Sequence, residues 1–479
     1  MKRFLWLGFA LFLYVTCGGC GETFRPIIIP NPPTFPNPAA AHTVVTISDN
    51  GSFVAGSAMV IDVSGDSVES IANTDIHPVH AAQQSASEVL VLNQAATAAE
   101  TGGQGTTSCL VSVTVGGVTT VYDVCPSLTL LNFSGTSIGS TNSITLPIYS
   151  SPNFVAVAPL ATTAYVTLPT YPPDPTNPQT IAPSVEAINT TTKQVTIVPV
   201  GSTLSANPYA LAVTPDNTKL YVANQGDGTV DGFNTVGPST RQINGSLSSK
   251  PIWLSARSDS QAVYVLEESG LLAYISITST LGPDMLTETA NPPISVPGAI
   301  KMVYDGNLNR LYISGGNQVA IVDVSQPVPA LIVTIPITAV LPSTRSAQDP
   351  CSTTAVTTLN TVDVAALPDE SFAYAGTYYE AAVGGINYIC PQVTAINLTS
   401  NSSQSPAIAI PGFTADDAFC SISSTRFRLT MAAGGDSTRA YLASCDGGNV
   451  NIIDTSAQSY IESQPVSVCQ NPVFMLAGP

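Results

Sequence analysis

The chain has 479 residues, of which only 10% are charged, with 32 Asp and Glu against 14 Lys and Arg and a net charge of −18. That length can bury a large core and exceeds a single small sandwich. So acidic a surface repels phosphate backbones, which argues against a nucleic-acid partner. The polar surface is left mostly to Ser, Thr, Asn, Gly and Pro, residues of short strands joined by many turns.

The first segment reads as an export signal over residues 1–20. Lys2 and Arg3 form a basic start, and Phe4–Val15 is apolar but too short to span a bilayer comfortably. It ends in Cys17-Gly18-Gly19-Cys20, where a lipoprotein signal would end. Small Gly19 favours Cys20 as the lipidated residue, with Cys17 the alternative. Residues 21–41 carry Pro26, Pro30, Pro32, Pro33, Pro36 and Pro38. Prolines so dense favour an extended tether that reaches up to roughly 60 Å. The expected location is the envelope of a bacterial cell, with the membrane met only through the lipid.

The folded body is expected over 42–479. Its key is the stretch Asn207–Asn224, in which Ala210–Val213 and Leu220–Val222 are apolar runs around Pro215-Asp216-Asn217. Pro presets φ and Asp and Asn bond their own backbone, so this is a strand, a turn and a strand. A second turn at Gly226-Asp227-Gly228 leads to Thr229–Phe233, continuing an antiparallel meander.

The same phase recurs from Pro78, Pro152, Pro251, Pro297, Thr361 and Arg428. Asp216 to Asp259 is 43 residues, the length of one propeller blade. Thr43–Ile47, Ser57–Val63 and Ser67–Ile71 match the last three strands of a unit with no first strand. Asn471–Pro479 matches that first strand alone. A ring closed by a composite blade accounts for both ends. The fold expected is therefore all-β, a single β-propeller of four-stranded antiparallel blades, eight by repeat count, with seven as the alternative. Long insertions are expected at Ala95–Val124 and Ala339–Thr357.

The order Pro, apolar run, Pro-Asp turn, Leu220-Tyr221-Val222-Ala223-Asn224, Gly turn resembles the YVTN family of β-propeller repeats. The resemblance implies architecture far more than activity.

Of nine cysteines, Cys109 and Cys125 flank a hairpin turning at Gly116-Gly117. A two-residue turn sets 109 opposite 124, so a Cys109–Cys125 bridge needs a bulge or a longer turn. Cys351 with Cys390, and Cys420 with Cys445, are near one another in the repeat, which leaves Cys469 over.

Catalytic motifs are lacking: there is no nucleophile elbow, zinc-protease helix or phosphate loop. His77 and His80 are three apart, so a strand points them to opposite faces, and a zinc site needs more ligands. No metal and no cofactor are implied.

The repeat phase gives one positional reading. Inner strands line the axis of a propeller. By alignment on the opening proline, the equivalents of Ala210 include His80, Phe154, Trp253, Ala299, Asp363, Thr430 and Phe474. Those of Ala212 include Ser255, Lys301 and Ala365. His80, Asp363 and Lys301 break an apolar pattern, and Arg257 lies two residues beyond Ser255. Polar groups at packing positions are costly unless satisfied or used. Together they suggest either a solvated channel or a site for a small anionic or hydroxylated ligand.

Two functions of different class remain. One is a non-catalytic binding or scaffolding propeller for an unknown protein, glycan or small molecule. The other is a hydrolase resembling the lactonases of this architecture, which needs convergent acids or histidines to activate water.

Overall fold

The computed structural model describes residues 42–478, apart from 52–53, 95–109, 116–117, 124, 148–150, 160, 170–181, 202, 237–240, 278–283, 289, 291, 341–343, 353–355, 357, 418, 421–426, 462–465 and 468–469. The leader with Cys17 and Cys20, the tether, Cys109 and Cys469 thus lie outside the described residues.

Local chemistry makes each hairpin. In the key repeat, Pro208–Val213 pairs with Lys219–Asn224. Between them the backbone N–H and hydroxyl of Thr218 both donate to Asp216 Oδ1, and Asn217 takes φ +55°. Asp259, Asp369 and Asp436 take a backbone N–H at the same place in their own turns. Strands Thr229–Asn234 and Arg241–Ser246 complete the blade. A Cβ on Gly226 would stand 1.8 Å from the Ser205 carbonyl oxygen, which is why the second turn opens on glycine.

Eight such sheets form the ring. Their inner strands are Pro472–Ala477 in blade 1, Pro78–Ser85 in blade 2, Val155–Val157 in blade 3 and Pro208–Val213 in blade 4. Pro251–Ala256, Ala299–Asp305, Asn360–Ala366 and Leu429–Ala433 follow in blades 5 to 8. Each inner strand touches the next all the way round.

Blade 1 is composite, as expected. Pro472–Ala477 pairs with Thr43–Ser48, which pairs with Ser57–Asp62 and then Ser67–Asn73. Blade 2 holds the inserted hairpin Leu110–Val115 and Val118–Asp123, in which Leu110 pairs with Asp123 as a two-residue turn requires.

The tyrosine of the repeat has a packing role. Tyr221, Tyr264, Tyr374 and Tyr441 are fully buried, and each hydroxyl reaches the outer hairpin of the following blade. Their acceptors are Asp284 Oδ2 at 2.7 Å, the Gln326 carbonyl at 3.3 Å, the Thr455 carbonyl at 3.4 Å and Asp66 Oδ1 at 2.9 Å. Tyr441 to Asp66 is the step from blade 8 to blade 1, so the seam is joined as those three boundaries are, whereas Tyr312 of blade 6 donates to Asp305 of its own blade. Lys219, also fully buried, adds an ion pair to Asp284 at 3.2 Å.

Both ends of the described body lie beside the turns that join inner to second strands: Gly478 N–H donates to the Thr43 carbonyl. The opposite end carries the disulfides Cys351–Cys390 and Cys420–Cys445. Cys125 is disulfide-bonded too.

Candidate functional site

A one-residue bulge sits at the start of most inner strands, between Pro208 and Ala210, Pro78 and His80, Pro251 and Trp253, Ala299 and Lys301, and Thr361 and Asp363. The residue after it turns toward the axis. In blade 6 that residue is Lys301, which pairs with Ser314 as Ala210 pairs with Ala223.

This corrects the expectation that Lys301 lies two residues along. Pro297 misled the alignment, because Gly298 and Ala299 intervene before the bulge. The tyrosine is the better anchor: Tyr221 to Ala210, Tyr264 to Trp253, Tyr312 to Lys301 and Tyr374 to Asp363 are all eleven residues.

His80, Lys301 and Asp363 therefore share one level. Lys301 Nζ stands 2.8 Å from Asp363 Oδ2. That same oxygen accepts from the Met431 N–H of blade 8, and Oδ1 accepts from Val364 N–H. Lys301 Nζ also lies 5.7 Å from the Trp253 ring, 5.6 Å from Phe427 and 5.7 Å from Phe474, within reach of three ring faces. His80 packs between Phe154, at 3.9 Å between centroids, and Phe474, at 4.5 Å. Burial first, and the charge of Lys301 second, push its pKa down to about 3, so the ring is neutral. Its Nδ1 is buried without a hydrogen-bond partner.

All of these groups except Phe427 line the floor of a cavity of about 440 Å³. One level up, the wall is alanine in five blades, at Ala82, Ala156, Ala212, Ala365 and Ala432, with Ser255, Val303 and Leu476 in the others. Inner strands converge at the axis, and small side chains there leave the space open. The mouth is rimmed by Pro159, Pro215, Gly306, Asn307 and Pro368, turn residues of the same end as Thr43. Above the floor its polar lining is Ser255, Ser258, Tyr304, Asp305 and Asn307 on blades 5 and 6 and Gln83 on blade 2.

Arg257 is not part of this lining. It turns away at the blade 5 turn, with Nη2 2.7 Å from Asp259 Oδ2. His77 is likewise separate, with Nδ1 3.0 Å from Asp49 Oδ2. Among the described residues no three His, Cys, Asp or Glu side chains group to hold a metal ion. The sequence reading missed Phe427, which precedes the blade 8 strand outside the repeat phase, and Tyr304, hidden by the shifted blade 6 alignment.

No protein-family model matches the sequence, and no curated protein matches it. Among solved structures, apo AztD from Citrobacter koseri aligns with TM-score 0.54 at 10% identity over 91% of this chain and 97% of that one. A second AztD structure from the same organism gives the same values. A putative 6-phosphogluconolactonase from Bacteroides fragilis aligns with TM-score 0.45 at 12% identity, over 73% of this chain and 92% of that one. At such identities the likeness to AztD is one of fold.

Proposed function

We propose that this chain is an exported propeller of YVTN-type repeats, tethered at the cell envelope by a lipid on Cys20. It binds a small ligand at its axis and does no chemistry on it. The observation that carries the reading is how the axial polar groups are used. Asp363 spends both oxygens on Lys301 and two backbone N–H groups. A base that activates water needs a free acceptor whose pKa lies near the working pH. His80 has an unpartnered Nδ1, but with its pKa pushed down to about 3 it is too weak a base for that role. The space above those groups is concave and mostly apolar, the usual character of a small-molecule site.

Export is supported by the basic-apolar-Gly-Cys order of the leader and by the disulfides, which persist in oxidising compartments. The Pro-rich residues 21–41 then serve as the leash, and the body is entered at Thr43, on the mouth end.

A thermal-shift screen of small molecules on the purified mature chain tests this, with each hit then incubated at length beside γ-butyrolactone and δ-gluconolactone. Stabilisation without turnover is the expected result. Turnover of a hit or of either lactone overturns the non-catalytic reading.

A further inference from the structure

We propose that the axial cavity takes a neutral ligand, mainly apolar, that carries few hydroxyl or carbonyl groups. This rests on the cavity being the binding site.

The floor has no net charge to offer. Lys301 and Asp363 cancel at 2.8 Å, and both oxygens of Asp363 are already engaged. The rest of the Lys301 ammonium faces the rings of Trp253, Phe427 and Phe474. The third polar group, His80, is a neutral imidazole between two phenyl rings. The other acid of the lining, Asp305, already accepts from the N–H groups of Asn307 and Leu308 and from the Tyr312 hydroxyl. A charged ligand would give up its hydration here and find no free partner, an expensive exchange in a low-dielectric site.

The wall completes the argument. Its alanines provide an apolar surface without directional bonds. Hydrogen-bonding groups in the lining are few and not confined to one sector: Ser255 stands at wall level in blade 5, and Gln83 of blade 2 has a buried Oε1 without a partner. At the rim the Tyr304 hydroxyl accepts from Ser258 N–H and lies within bonding distance of Ser258 Oγ and Asn309 Oδ1, and Asn307 Nδ2 donates to the Pro368 carbonyl. His80 adds the unspent Nδ1 at the floor. A mainly apolar ligand with a few hydroxyl or carbonyl groups matches that lining. A cavity of about 440 Å³ fits a compact polycyclic or branched molecule.

A matched series of probes tests the class: 1-adamantanol, adamantane-1-carboxylate and 1-adamantylammonium. None absorbs where tryptophan does. Trp253 is the one tryptophan outside the leader, so its emission in the mature chain reports the floor directly. The expected result is that 1-adamantanol binds at least tenfold more tightly than either ion and shifts the Trp253 emission. Ala212→Leu, which fills the wall, should weaken it at least tenfold. Asp363→Asn leaves Lys301 unopposed and should raise affinity for the carboxylate at least tenfold.

If a charged probe binds the wild-type chain as tightly as the alcohol, the ligand class is wrong and the cavity reading stands. If none of the three binds, the cavity is not the site and both fall.

Discussion

Lys301 and Asp363 meet across the boundary between blades 6 and 7, and the same Asp363 oxygen accepts from Met431 N–H in blade 8. One carboxylate thus joins three blades at the axis. Both side chains are buried, so removing one partner strands the charge of the other. Lys301→Met should cost roughly 3–5 kcal/mol of unfolding free energy. Lys301→Met combined with Asp363→Asn should recover a large part of it, because the amide keeps an acceptor without the charge. Urea unfolding of the three proteins decides this. Equal losses in the single and the double variant would show that the pair acts by shape and not by charge.

Closure of the ring gives a second prediction. Val473 and Met475 are buried in blade 1, and Phe474 stacks on His80 at the axis. Deleting 472–479 removes all three and exposes the edge of Thr43–Ser48. Burial of side chains of this size is worth roughly 1.5–3 kcal/mol each, a large share of a marginal total. The truncated body should therefore unfold at a much lower temperature in one transition. A melting curve like that of the full chain would mean that the remaining Tyr441–Asp66 and Arg439–Asp66 contacts hold the seam unaided.

The architecture was legible because it is repetitive. Leu-Tyr-Val before a turn recurs because the tyrosine is buried between blades, and in four of them its hydroxyl reaches the next blade. The composite blade followed from two incomplete ends. The site was legible only in part. His80 and Asp363 stood out because they break an apolar pattern at a fixed phase. Lys301 stood out too, but at the wrong level, because a proline is a poorer ruler than a residue held in the core. Phe427 had no phase to betray it: it reaches the axis from a connection, and connections do not repeat.

The disulfides offer a third prediction. Cys351–Cys390 ties the segment before blade 7 to the long strand Ile386–Asn397. Arg345 supports the same segment, donating to Asp349 and to the carbonyls of Ile410 and Pro391. Tyr379 donates to the Cys351 carbonyl. Replacing both cysteines by serine should cost about 2–4 kcal/mol. With those bonds still in place, the ring should remain folded and Arg345→Met should destabilise the serine variant further. Limited proteolysis between 339 and 357 reads this locally. Unchanged resistance in the serine variant would mean that Arg345 and Tyr379 are sufficient.

The last prediction concerns pH. Glu186 lies in the third strand of blade 3, opposite Val166, where blade 4 has Asp231 opposite Val222. Asp231 is satisfied: Asn224 Nδ2 donates to it at 3.0 Å and Gly201 N–H at 2.6 Å. In blade 3 the counterpart of Asn224 is Leu168, which has nothing to donate. Glu186 is buried, its Oε2 has no partner, and desolvation pushes its pKa up to about 7. An acid whose folded pKa is raised stabilises the folded state fully below its unfolded value, near 4.5, and loses that contribution as pH climbs toward 7. Above 7 the folded protein holds a carboxylate that the unfolded chain would keep in water. Glu186→Gln removes the penalty, so the variant should gain about 1–3 kcal/mol over wild type at pH 8 and almost nothing at pH 4. Leu168→Asn should restore the missing donor and flatten the same pH dependence by lowering the pKa instead. Unfolding measured from pH 4 to 8 separates the two. A wild-type protein whose stability relative to Glu186→Gln does not change between those limits would show that Glu186 keeps an ordinary pKa in the folded state.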